Sequence, residues 1–161
     1  MMIKKIRYLS LCALLLIVSC SKEETSPGKP FYSPLALTEL MNWVLDPAAD
    51  GVWGAVGWIS TSKGEKVIAP RTEEEWDTLR NHAATLMEAS NLLMLDNYAK
   101  DNKEWMYYAN NLSKKAQITL QAIQKRDLDE IFITSSDIDT ACEDCHKKYA
   151  KFEEKAASSN K

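Results

Sequence analysis

The chain has 161 residues, which is typical of one domain. It is 45% hydrophobic and 27% charged, a balance that excludes a disordered chain and predicts a packed core. The net charge is −3, and removing the three basic residues among the first nineteen would leave −6. Such an acidic balance argues against a nucleic-acid partner.

The N-terminal segment has the pattern of an export signal. A short basic start precedes an apolar run over residues 8–18, which is too short to span a membrane comfortably. The run ends in Leu16-Ile17-Val18-Ser19-Cys20, which resembles a bacterial lipobox. The resemblance implies that residues 1–19 are a lipoprotein signal peptide and that the sulfur of Cys20 carries lipid. An ordinary signal peptide with a chance cysteine is the alternative.

The cysteine count agrees with export. Cys12 would leave with the signal peptide and Cys20 would be acylated, so only Cys142 and Cys145 remain in an oxidising compartment. Residues 20–33 are polar and predict a flexible, lipidated tether. The helical domain is expected over 34–155, and a disordered tail over 156–161.

Four amphipathic helices are predicted. The first starts at Ser33-Pro34, as N-cap and first helical residue, and Asp46-Pro47 ends or kinks it before the pattern resumes through Val56. The other three open at Thr72, Asp101 and Asp127, each with a Glu three residues later. The apolar stripe of the second helix holds Trp76, Leu79, Ala83, Leu86, Met87, Leu93 and Met94. The stripe of the third holds Trp105, Ala109, Leu112, Ala116, Leu120 and Ile123, and the stripe of the fourth holds Ile131, Ile138, Cys142, Cys145, Tyr149 and Phe152.

A Gly- and Trp-rich stretch separates the first two helices. Trp58-Ile59 and Val67-Ile68 flank a polar turn that contains Gly64, which predicts a loop or small hairpin. The other connections are short, and short connections favour antiparallel neighbours. The expected fold is therefore all-α, an up-down antiparallel four-helix bundle.

The strongest motif is Cys142-Glu143-Asp144-Cys145-His146. Cys-x-x-Cys-His is the attachment motif of c-type haem, and on a helix its three ligating side chains share one face. Two thiols there can add to the haem vinyl groups while the imidazole of His146 binds the iron. A redox dithiol would normally sit at a helix N-terminus, and a zinc site would need a fourth ligand; His82 is the only other histidine.

With Tyr149 three residues after the histidine, this end of the chain resembles the class II c-type cytochromes, which include cytochrome c′ and the low-spin cytochrome c556 group. The resemblance covers residues 34–155 and is specific over 127–149. It implies one covalent haem c near one end of the bundle, with Cys142 and Cys145 as attachment points, His146 as proximal ligand and Tyr149 packed near the haem.

The sixth position of the iron divides that family. Low-spin members place a Met of the first helix there, and Met41 lies on the expected apolar face between Leu40 and Val44. Met41 is thus the candidate distal ligand, with ordinary core packing as the alternative. His82 is a weaker candidate for the same role. In cytochrome c′ a basic residue usually follows the tyrosine, whereas Ala150 follows Tyr149 here, which weakens the gas-binding interpretation.

These features predict a membrane-anchored electron carrier rather than an enzyme, since no Ser-His-Asp order, phosphate loop or paired-histidine metal motif is present in the sequence. A five-coordinate cytochrome c′-like protein that binds NO or CO is the first alternative. A haem-free helical interaction lipoprotein is the second. The expected location is the periplasm, anchored to the outer membrane, with unidentified redox partners and room for a homodimer.

Overall fold

The computed structural model describes the backbone of residues 33–158 and the side chains of residues 33–150. The predicted signal peptide, Cys20, most of the tether, the side chain of Phe152 and the last three residues lie outside this part. The described chain is mostly helical, with one two-stranded sheet. No described helix combines the length and apolar character needed to cross a membrane.

Helix α1 has three consecutive segments, an α-helical turn at Leu37–Leu40, a π-helical turn at Met41–Leu45 and an α-helical segment at Asp46–Trp53. It begins later than predicted, because the hydroxyl of Ser33 is hydrogen-bonded to the hydroxyl of Tyr98 at 2.5 Å and does not cap the helix. The carboxylate of Glu39 instead accepts the N–H of Ala36 at 2.8 Å.

The predicted interruption at Asp46-Pro47 takes the form of the π-helical turn, and the helix continues to Trp53. The N–H of Asp46 bonds to the carbonyl of Met41, five residues earlier. A proline in a regular α-helix would clash with the carbonyl four residues before it, and the wider π-helical turn relieves that clash. Val56, predicted as the last residue of the pattern, is buried just beyond the helix.

The remaining helices are α2 (Glu73–Leu92), α3 (Glu104–Lys125) and α4 (Leu128–Ser158), and their starts agree with the predicted caps. Thr72 Oγ1 accepts the N–H of Glu75 at 3.2 Å, which with the returning carboxylate completes a capping box. Asp101 and Asp127 likewise accept backbone N–H groups at the starts of α3 and α4.

The loop between α1 and α2 is the predicted hairpin. Strands β1 (Gly57–Thr61) and β2 (Gly64–Ile68) pair antiparallel, with Trp58 opposite Val67. Gly64 has φ of +114°, which only glycine adopts without strain. The Trp58 ring meets Phe132 of α4 edge-on, with 5.2 Å between centroids, so the hairpin rests on that helix.

The core lies where the helices face one another. Helix α1 contacts α2 and α4, α2 contacts α3, and α3 contacts α4. The predicted stripes supply fully buried side chains, among them Leu79, Ala83 and Leu86 of α2, Ala116 and Ile123 of α3, and Ile131 and Ile138 of α4. Between α3 and α4 the chain turns at Arg126, which adopts φ of +58° and ends α3 in a left-handed cap. Because so little chain joins them, α3 and α4 are direct neighbours.

Candidate cofactor site

Helix α4 presents the motif residues on one surface. Cys142, Cys145 and His146 are three and four positions apart, which brings their side chains together on one face of the helix. Both thiols are half-buried and are not joined in a disulfide, whereas His146 is exposed. The imidazole therefore stands at the outer edge of a site whose sulfur atoms lie further in.

These three residues line a partly open cavity of about 430 Å³, to whose lining all four helices contribute. Its apolar wall is formed by Leu45 and Ala49 of α1, Leu86 of α2, Leu93 just beyond α2, Ala109 and Leu112 of α3, and Ala141 of α4. Met41 and Trp53 of α1 and Tyr108 of α3 complete the apolar and aromatic lining. The motif that the sequence predicts to hold haem thus faces a preformed apolar space.

A second cavity of about 210 Å³ adjoins the first. The two share four lining residues, Met41, Asp46, Cys145 and His146. Trp105 and Tyr149 line the second cavity as well. Cofactor sites commonly measure about 300–1,000 Å³, so the combined space is of the right size for a single large, flat cofactor.

The residues present fit a covalently bound haem. A porphyrin needs an apolar slot, and each thioether bond needs a thiol at the wall of that slot. The larger cavity provides both, with two sulfur atoms and a mostly apolar lining. An imidazole and a thioether sulfur, the usual axial ligands of low-spin c-type haem, belong to the same lining.

The two thiols are held in the protonated form. Burial raises the pKa of Cys142 to about 12, with further contributions from the carboxylates of Asp139 and Asp46. Burial also raises the pKa of Cys145 to about 11. A redox-active dithiol requires the opposite shift, toward a stabilised thiolate, so these values disfavour that alternative.

Met41 lies in the shared lining of both cavities, and it is half-buried. The other methionines of the helical domain, which the sequence predicts to be packing residues, are Met87, Met94 and Met106, and they pack against the core and line neither cavity. Of these four methionines, only Met41 shares a space with His146. The structure therefore brings together the two residues that the sequence analysis paired as axial ligands.

His82 lies elsewhere. It lines an open groove beside the N-terminal part of α2, together with Asp50 and Gly51. Its ring packs so closely on Gly51 that a Cβ at that glycine would overlap it. The structure does not bring His82 to the cysteine motif, so its weaker candidacy as distal ligand gains no support.

Tyr149 connects the candidate site to the start of α3. Its hydroxyl donates a hydrogen bond to the carboxylate of Asp101, and its ring meets Trp105 edge-on with 5.0 Å between centroids. Its partial burial and this contact raise the pKa of Tyr149 to about 12. The side chain is neutral at physiological pH and fixes one wall of the smaller cavity.

Several lining residues escaped the sequence analysis. Asp46 was identified only as part of a helix break, Asp139 was not singled out, and Trp53 and Tyr108 carried no positional signal. The π-helical turn and the packing of α1 on α4 bring Asp46 to the motif, and neither can be recognised from local periodicity. Asp139 lies one turn before Cys142, so its spacing on α4 was the one available signal.

Among the described residues, no group of three or more His, Cys, Asp or Glu side chains is arranged to hold a bare metal ion. Comparison with family models, curated proteins and solved structures finds no significant match.

Proposed function

We propose that this chain is a membrane-anchored monohaem c-type cytochrome that transfers single electrons in the periplasm. The observation that carries the proposal is the composition of one cavity wall, where Cys142, Cys145, His146 and Met41 meet. The first three belong to one short motif. Met41 is about one hundred residues away in sequence, and nothing in the motif requires it to be there.

Each residue has a distinct role in this proposal. Cys142 and Cys145 would hold the cofactor by thioether bonds, and His146 and Met41 would bind its iron. When bound, the haem supplies a one-electron couple between ferric and ferrous iron. The protein contributes fixed ligands, which keep the coordination unchanged while the electron is transferred.

The surroundings suit a carrier. Leu45, Leu86 and Leu112 give the inner side of the cavity an apolar surface, which disfavours bound water. The exposed side chain of His146 marks the side that is open to a partner protein. A cofactor edge near the surface shortens the distance to a redox partner, and a dry interior limits solvent rearrangement when the charge changes.

We further propose the up-down antiparallel four-helix bundle as the architecture. Its support is the ring of contacts from α1 to α2, α2 to α3, α3 to α4 and α4 back to α1, together with the minimal connection at Arg126 and Asp127. The first helix then lies across the cavity from the end of the fourth, which is the arrangement that the resemblance to class II cytochromes implies.

The membrane part of the proposal rests on the sequence alone. The lipobox-like end at Cys20 supports acylation, and the absence of Asp immediately after that cysteine favours the outer membrane. The polar residues that follow would let the domain face the periplasm while it remains attached. We propose unidentified redox proteins as its partners and treat a homodimer as compatible with the site.

Substitution of Met41 by Ala tests the choice between electron carrier and gas binder. The wild-type ferric protein is expected to be low-spin, with a sulfur-to-iron charge-transfer band in the near infrared. Met41→Ala should abolish that band and let the ferrous protein bind carbon monoxide. The matched control is Met87→Ala, since Met87 is also a half-buried methionine but lines neither cavity; it should leave the spectrum unchanged.

Two outcomes would reject the carrier. If wild-type protein is high-spin and binds carbon monoxide at once, Met41 is core packing and the five-coordinate, gas-binding cytochrome takes its place. If the purified protein carries no haem after expression with a haem-attachment system, the haem-free interaction lipoprotein takes its place. Optical spectra of the ferric, ferrous and carbon monoxide-treated protein distinguish all three.

A further inference from the structure

Two of the three carboxylates that line the mostly apolar larger cavity are those of Asp46 and Asp139. Asp46 follows the π-helical turn of α1, and Asp139 lies one helical turn before Cys142 on α4. Asp46 also lines the smaller cavity, beside Met41 and His146. The two side chains come from different helices and approach the same region of the larger cavity.

The negative charge of this pair is not neutralised by neighbours. Among the described side chains, neither Asp46 nor Asp139 forms an ion pair. The other two charged residues of the larger cavity, Glu143 and Lys147, neutralise each other, with 2.8 Å between carboxylate and ammonium. The wall of the larger cavity thus has two negative charges outside any ion pair, while the smaller cavity, which Asp46 also lines, has Lys100 in its wall.

Both carboxylates act on the motif. Burial is the largest cause of the raised pKa of Cys142, and the charges of Asp139 and Asp46 raise that pKa further, which requires them to be close to the thiol. The same charges act on anything held in the cavity, and water screens part of their field because both side chains are exposed.

We propose that Asp46 and Asp139 form an electrostatic pair that lowers the reduction potential of the cofactor bound to Cys142 and Cys145. This inference rests on the proposed function. Reduction adds one electron from the redox partner, or from a mediator dye in a titration, and removes one unit of positive charge from the iron centre. Two nearby negative charges stabilise the more positive, oxidised state and therefore oppose reduction.

The pair also gives a reason for the π-helical turn in α1, which departs from regular α-helical geometry. A π-helical turn is uncommon. Here it places Asp46 on the same cavity wall as Met41, which lies five residues before it in the sequence. In a regular α-helix, positions five residues apart point in directions about 140° apart, given 3.6 residues per turn. The π-helical turn therefore places the candidate ligand Met41 and the carboxylate of Asp46 on one wall of the cavity.

The test is a potentiometric titration of the holoprotein, followed optically. The variants are Asp46→Asn, Asp139→Asn and the double substitution, which remove charge with little change in shape. Asp129→Asn is the control, because Asp129 is an exposed carboxylate in the first turn of the same helix α4. Asp46→Glu serves as the rescue variant, since it restores the charge.

Each single substitution should shift the midpoint potential to a more positive value, and the double variant should shift it further. Asp129→Asn and Asp46→Glu should stay near wild type. The shifts should shrink at high salt, because both carboxylates are reached by solvent ions. The visible and near-infrared spectra should not change, which shows that the ligands are the same and that the effect comes from charge.

A midpoint potential for the double variant that equals that of Asp129→Asn would overturn the inference, and so would a shift to a more negative value. A spectral change in Asp46→Asn that Asp46→Glu fails to rescue would also overturn it, because the residue would then act on ligand geometry. These failures differ from failure of the proposed function, in which no haem is present to titrate.

Discussion

The surroundings of Cys142 and Cys145 disfavour two of the functions that a pair of thiols can have, redox exchange and metal binding. Both lie well inside α4, away from the helix N-terminus that stabilises thiolates in redox motifs. Burial and nearby carboxylates raise the pKa of Cys142, and burial raises that of Cys145. Protonated thiols are poor nucleophiles and poor metal ligands, so the environment favours a pair that remains reduced until a cofactor is attached.

The haem-free protein should therefore react slowly with iodoacetamide. With pKa values of about 12 and 11, the thiolate fraction at pH 8 is about one in ten thousand for Cys142 and about one in a thousand for Cys145, against roughly a quarter for an ordinary thiol. Alkylation should rise about tenfold per pH unit up to pH 11, with Cys145 ahead of Cys142. Mass spectrometry of peptides sampled over time measures both rates.

The control is the same protein in urea, where both cysteines should react at the rate of an exposed thiol. Circular dichroism must first show that the haem-free protein keeps its helices. Rapid alkylation of Cys142 at pH 8 in that folded protein would contradict the assignment of a buried, protonated thiol and would revive the redox alternative.

At the scale of elements, the end of α3 nearest the site is connected to α4 by the side chain of Asp101 and by the ion pair of Glu104 with Lys148. Asp101 Oδ1 accepts the N–H groups of Lys103, Glu104 and Trp105 at 2.9, 2.7 and 3.1 Å, and its other oxygen accepts the hydroxyl of Tyr149. The hydrogen bond from Tyr149, followed by that from Lys103, holds the pKa of Asp101 below its ordinary value. The ionised carboxylate thus stabilises the folded state.

Replacing Asp101 by Ala should lower the melting temperature of the protein at pH 7. Because the folded-state pKa is depressed, the stabilisation by Asp101 is fully present above its unfolded pKa of about 4 and is lost as the pH falls through the lower folded value. The difference between wild type and Asp101→Ala should therefore narrow below about pH 4. Thermal unfolding followed by circular dichroism between pH 2 and pH 7 measures it.

Asp96→Ala provides the comparison, since Asp96 is an exposed carboxylate in the same connection between α2 and α3. It should melt close to wild type throughout. An Asp101→Ala deficit that stays constant, or widens, as the solution is acidified would show that the ionised carboxylate is not the stabilising species.

The helical elements were largely predictable, because their signals are local. Thr72 with Glu75, Asp101 and Asp127 mark helix starts by hydrogen bonds within four residues, and Gly64 marks the hairpin turn. The start of α1 was not, because the hydroxyl of Ser33 is engaged by Tyr98, 65 residues away in sequence. The interruption at Asp46-Pro47 and the resumption of the helical pattern beyond it were predicted, but the π-helical form of the interruption was not.

The candidate cofactor site likewise has one part that the sequence predicts and another that it does not. Cys142, Cys145 and His146 are adjacent in sequence and could be recognised as one motif. That Met41 shares their cavity depends on how α1 packs against α4, and only the resemblance to class II cytochromes suggested it. Asp46 and Asp139 look like ordinary surface acids in the sequence, because their significance comes from the apolar wall around them.

At the scale of the whole molecule, we propose that an exported, lipidated segment precedes a helical domain that binds the cofactor. The domain begins at Ser33 and Leu35, which are both hydrogen-bonded to the hydroxyl of Tyr98 between α2 and α3. This connection also holds Asp101, the partner of Tyr149. The cofactor site therefore lies at the end of the domain where the described chain begins.

Cys20→Ser should leave the protein in the soluble fraction or unprocessed, because several acyl chains, each contributing about 0.8 kcal/mol per buried CH₂, would otherwise hold it in the membrane. Cys12→Ser is the matched control, since it removes a cysteine of the signal peptide without touching the acylation site, and it should fractionate as wild type. Membrane fractionation with immunoblotting gives the result. A Cys20→Ser protein that stays with the membranes would contradict lipid anchoring.

The proposed function depends on covalent attachment of one haem at Cys142 and Cys145, which acid-acetone extraction of the denatured holoprotein, followed by intact mass measurement, can detect. We expect the haem to stay with the polypeptide and to add the mass of one haem, and we expect the variant with both cysteines replaced by Ala to retain none. Complete release of the wild-type haem into the solvent, with a mass equal to that of the polypeptide alone, would contradict it.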